Sequence, residues 1–114
     1  FILIARHWFS QFEWYADSLM SMDSGITRYV VEAIRTKQTP TLSLKDEILI
    51  YEFVTELLEQ RTVGQVTYDR AQEMLGHHGV VDLVGIVGYY CLVSATLNVF
   101  DMPLPDGEEN PLSP

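Results

Sequence analysis

Residues 5–27 read ARHWFSQFEWYADSLMSMDSGIT, and the spacing of side chains in and just before this stretch sets the fold class. Apolar residues recur at Phe1, Ile4, Trp8, Phe12, Tyr15 and Leu19, in steps of three or four. That period predicts one helix over 1–22, closed by Asp23-Ser24-Gly25, with Gly25 suited to a left-handed cap. At about 100° per residue, Arg6, Ser10, Glu13 and Asp17 fall on one narrow strip. His7, Gln11, Ser18 and Ser21 widen it to a polar arc of roughly 160°. The simplest reading of such an arc is the wet face of an amphipathic helix. Two features argue against it. Trp14 sits inside the arc, where exposure would waste its apolar surface. Glu13 and Asp17 are like charges one turn apart, which destabilises an isolated helix. A bound cation, an arginine from elsewhere or a shared proton would account for the pair. A shared proton sets a carboxylic acid beside a carboxylate, which suits acid/base chemistry.

Outward from this stretch the helical period continues. Ile26, Tyr29, Val30, Ala33 and Ile34 predict a helix over 26–37, ended by Pro40. Ser43 with Asp46 three later resembles a capping box. The helix after it carries Ile50, Phe53, Val54, Leu57 and Leu58 on one face, and Glu52, Glu56 and Glu59 read as its solvated side. A loop follows over 62–66. Thr67 is placed to cap a short helix through Leu75, with Gly76 closing it.

The most apolar stretch is 79–100, and 83–100 contains no charge. Eighteen uncharged residues just meet the minimum for a membrane span. Asp82 and Asp101 flank it without Lys or Arg, and Ser94 and Asn98 lie within it. A buried central helix is therefore expected, with Gly85 and Gly88 allowing close approach of a neighbour. Tyr15, Tyr89 and Tyr90 read as core residues. The tail over 101–114 holds four prolines and four acids and should be extended or disordered. No segment alternates as a strand does, so the expected fold class is all-α.

The chain's 114 residues are enough for one domain with a modest core, and 47% are apolar. A core of that size favours a homo-oligomer. The net charge of −9 repels phosphate backbones and anionic lipid, so neither a nucleic-acid nor a membrane partner is expected. Cys91 is the only cysteine, which excludes an intrachain disulfide and makes a reduced, cytoplasmic location the default. The start lacks a signal-peptide pattern and reads like the middle of a helix, so an N-terminal part is expected to be missing, and pairing with that segment is the alternative to a homo-oligomer. His78 and Asp82 are spaced i, i+4, but adjacent histidines such as His77-His78 at a helix junction are usually capping or surface residues. No metal and no cofactor is expected.

The stretch over 5–27, with LKDEILIYEFVTELL and YDRAQEMLGHHGVVDLVGIVGYYCLVSATLNVFDMPLP, resembles the carboxymuconolactone decarboxylase-like superfamily, which includes the AhpD-like alkylhydroperoxidases. The resemblance spans 1–100 as one helical domain and leaves 101–114 as an acidic tail. It implies an all-α, AhpD-like helical domain assembled as a trimer or hexamer, with a further helical stretch before Phe1. The redox branch carries CxxC and a histidine four residues on. These positions correspond here to Ser10, Glu13 and Asp17, so no sulfur remains for a CxxC peroxidase. The decarboxylase-like branch carries Glu-Trp/Leu-x-x-His. Glu13 and Trp14 match it, and Asp17 stands at the histidine.

On this reading the chain is a decarboxylase-like lyase, or another proton-transfer enzyme, acting on a small organic acid or lactone. Glu13 and Asp17 are its catalytic pair, and His7, Ser10, Trp14, His77 and His78 line the substrate pocket. The alternative is a non-catalytic, oligomeric binding or scaffold member of the same superfamily, which the lost histidine and cysteines favour.

Overall fold

In the computed structural model, which describes residues 2–23, 25–105 and 107–112, the expected first helix is broken in two. Helix α1 spans Ile2–His7 and α2 spans Gln11–Asp23. At the break Phe9 adopts φ 53°, the left-handed region that a side chain seldom takes. Trp8 N donates to Ile4 O, Phe9 N to Arg6 O and Ser10 N to Ala5 O, which satisfies the last carbonyls of α1. No glycine marks the turn, so the sequence carries no stop signal there.

The chain folds as two compact units, Phe1–Thr41 with Tyr90–Pro114, and Leu42–Tyr89. In the first unit Ile2, Ala5, Trp14, Val31, Ile34 and Leu112 form the core, with Leu3, Met22, Ile26 and Val30 packed against it. Helix α3, Arg28–Arg35, supplies Val31 and Ile34. Thr27 caps its start, accepting from Val30 N. Lys37, at φ 62°, turns the chain at its end.

The apolar stripe drawn for one straight helix does not survive the break. Trp8 is 39% and Leu19 48% exposed, whereas Trp14 is buried. The tail carries no helix or strand over 102–105 and 107–112, and Leu112 near its end is buried in the core.

In the second unit α4 spans Lys45–Gln60 and buries Leu49, Phe53 and Val54. The expected Ser43 cap is not made. Leu44 occupies the cap position without a side-chain bond, and Asp46 accepts from Glu47 N instead. Arg61, at φ 65°, closes α4. Helix α5 spans Gln65–Val99 and is interrupted at Gly76, whose φ of 73° and ψ of 172° are not helical. Gly76 therefore ends the first stretch as expected. Thr67 lies inside the helix and does not cap it. Its hydroxyl donates to Glu56, which also accepts from Gly64 N at 2.9 Å. These bonds hold the Glu56 carboxyl below its ordinary range. Glu52 pairs with Arg70. Of the three acids read as solvated, only Glu59 is fully so.

The expectation of a buried 79–100 helix is overturned. Val80, Leu83 and Val87 are buried, but Val81, Val84, Ile86, Tyr89, Leu92 and Val99 are exposed. Only 22% of the most apolar part of α5 is covered, although it is long and apolar enough to cross a membrane. Uniform apolarity marked this segment as buried, but two small units lack the mass to enclose all its sides.

Candidate functional site

Helix α2 places Glu13 and Asp17 one turn apart, and both are buried, at 7% and 5% exposure. Burial raises the Glu13 carboxyl first. A hydrogen bond shared with Asp17, and the Asp17 charge, raise it further, to about 7. Asp17 Oδ2 is buried with no hydrogen-bond partner among the described residues. Neither carboxyl has an ion-pair partner among the described residues.

The rest of the polar strip is also inside. Arg6 is 8% exposed and Ser10 fully buried. Arg6 Nε and Nη1, Ser10 Oγ and Ser94 Oγ have no partner among the described residues. The Arg6 guanidinium lies 5.9 Å from the centre of the Phe9 ring, and burial with the nearby Arg35 charge lowers its pKa. Buried polar atoms without partners are uncommon and costly.

A cleft of about 290 Å³ lies at the start of α2, and of the strip only Ser10 is among its lining residues, not Glu13 or Asp17. Trp8, Phe9, Ser10 and Phe12 line one side, Asn98 and Asp101 the other. Asn98 Nδ2 donates to Trp8 O at 2.8 Å and ties the two sides together. Asp101, like Phe9, holds a left-handed conformation, at φ 51°.

Of the residues expected to line a pocket, Ser10 lines this cleft and Trp14 is in the core. His7 is exposed, its ring 6.3 Å from that of Trp8. His77 and His78 are exposed in the second unit, their rings 6.2 Å apart. Among the described residues no three His, Cys, Asp or Glu side chains stand close enough to hold a metal ion.

The sequence reading placed Arg6 on the strip but gave it no role. It missed Asn98, whose partner is ninety residues away. Comparison with protein-family models, with curated proteins and with solved structures gives no significant match.

Proposed function

We propose that the chain is a carboxymuconolactone decarboxylase-like enzyme that performs acid/base chemistry on a small organic acid or lactone. The observation that carries this reading is the buried Glu13–Asp17 pair, with the Glu13 carboxyl raised to about 7. A general acid works best when its pKa lies near the working pH, and Glu13 meets that condition. In a decarboxylation the bond to the leaving carboxylate breaks and carbon dioxide departs. Its electron pair is delocalised as an enolate. The Glu13 carboxyl then delivers its proton to carbon and becomes a carboxylate, and solvent restores the proton. Burial, and then the neighbouring Asp17 carboxyl, favour the protonated form of Glu13. Assembly as a cytoplasmic homo-oligomer belongs to the same reading, and the exposed apolar side of α5 supports assembly.

The test is carbon dioxide release and ultraviolet absorbance with a panel of lactone carboxylates and β-keto acids. Turnover that Glu13→Gln abolishes supports the reading. An oligomer that turns over none of them supports the scaffold alternative, to which Asp17 at the histidine position and Ser10 and Glu13 at the cysteine positions already lend weight.

A further inference from the structure

Glu13 and Asp17 are nearly closed off from solvent, and neither lines the cleft at the start of α2. A reactant of this pair needs a way in, so some part of the first unit must move. Helices α1, α2 and α3 supply Ile2, Ala5, Trp14, Val31 and Ile34 to one shared core, and displacing any of them disrupts that core as a whole. Leu112 is the one member of this cluster that no helix carries.

The segment that carries it is lightly held. Residues 107–112 form no helix or strand, and among the described residues no backbone–backbone bond ties them to a helix of the unit. Residues 107–110 are exposed, so only Pro111 and Leu112 are seated. Side chains make that seat. The Gln11 amide bonds both Leu112 N and Leu112 O, and Arg35 Nη1 donates to Pro111 O. A segment held by a few side-chain bonds and one apolar anchor opens at lower cost than the helices around it, and lids are drawn from such segments.

The seat adjoins the acids on α2. Gln11, Trp14 and Asp17 follow one another every third residue, so they stand side by side around the helix at steps of about 60°. Trp14 thus lies between the residue that holds the tail and the acid whose Oδ2 is buried without a partner among the described residues. Trp14 is itself 2% exposed and shares its core cluster with Leu112.

We propose that residues 107–112 are a strap whose release, with Leu112 leaving the core, opens a path past Trp14 to the Glu13–Asp17 pair. The proposal rests on the acid/base reading of that pair, and it assigns Gln11 and Arg35 the role of holding the strap shut.

The experiment uses the intact chain and reads no turnover. Amide hydrogen exchange compares Leu112 with Asp17, and an NMR titration follows the Glu13 carboxyl in the wild type and in Leu112→Ala. The Leu112 amide should exchange at least about tenfold faster than that of Asp17 after correction for intrinsic rates, as expected of a local opening. Equal protection would show that the tail opens only with the whole unit, and would overturn the strap. In Leu112→Ala the Glu13 midpoint should fall from about 7 by about one unit or more, because water at the carboxyl removes the largest cause of its rise. An unmoved midpoint in a folded Leu112→Ala would overturn the path to the acids. Should that variant fail to fold, Gln11→Ala keeps the leucine and loses two bonds. It should speed exchange of the Trp14 indole N–H about tenfold while leaving the Asp17 amide unchanged; an unchanged Trp14 indole would overturn the path equally. A substrate panel without turnover would sink the enzyme reading and leave these results standing, so the two failures are distinct.

Discussion

The side-chain amide of Gln11 makes two hydrogen bonds with the backbone of Leu112. Its Nε2 donates to Leu112 O at 3.0 Å, and Leu112 N donates to its Oε1 at 2.9 Å. The amide imitates a strand partner, and Arg35 Nη1 donates to the neighbouring Pro111 O at 3.3 Å. Together they seat the Leu112 side chain in the core of the first unit.

Gln11→Ala should therefore release the end of the tail and cost about 1–2 kcal/mol, the usual range for two part-buried hydrogen bonds. Leu112→Ala should cost about 2–3 kcal/mol. The double variant should cost less than the sum, because either change frees the same segment. Denaturant unfolding of the three variants measures this, and strict additivity would show that the two residues act separately.

Lys37 holds φ 62° at the exposed end of α3, and no hydrogen bond of its side chain is present among the described residues. Lys37→Gly should stabilise the protein by about 0.5–1 kcal/mol, because glycine adopts that conformation without steric cost. Phe9→Gly should relieve the same strain at the α1–α2 turn but remove a wall of the cleft. Thermal unfolding reads the first effect. A lower melting temperature in Lys37→Gly would mean that the turn is not strained.

Val84, Ile86 and Leu92 expose apolar surface on α5. Homo-oligomerisation would cover it. Val84→Glu should then lower the assembled mass in light scattering while retaining helical circular dichroism. A wild-type chain that is monomeric and well folded at micromolar concentration would contradict this.

The helical class was legible because apolar residues recur at helical spacing along most of the chain, and α3, α4 and the stop at Gly76 follow that spacing. The break at Phe9 was not legible. It depends on a bulky residue forced into a left-handed turn, and nothing local distinguishes that phenylalanine from Phe12. The exposure of α5 was not legible either, since hydropathy reports what a segment prefers and not whether enough chain exists to surround it. The candidate site was partly legible. Trp14 within a polar arc, and two acids one turn apart, argued against a wet face, and the narrow strip of Arg6, Ser10, Glu13 and Asp17 is buried, whereas His7 at the arc's edge is exposed. Asn98 against Trp8 and Gln11 against Leu112 join segments about a hundred residues apart, and no periodicity encodes such pairs.

The sign of the Glu13 shift makes the central claim measurable. A carboxyl raised from about 4.5 to about 7 on folding favours the protonated folded state. Its contribution to stability is fully present below the unfolded value of 4.5 and is lost as pH rises through 7. The loss is at most about 3 kcal/mol. Glu13→Gln, which keeps the shape and cannot ionise, should be relatively more stable than the wild type at pH 8 and nearly equal to it at pH 4. The most direct measurement is an NMR titration of the Glu13 side-chain carboxyl in the intact chain, with Asp17→Asn as the comparison. The account predicts a midpoint near 7 that falls toward the ordinary glutamate range in Asp17→Asn. A Glu13 midpoint near 4.5, unmoved by Asp17→Asn, would contradict it.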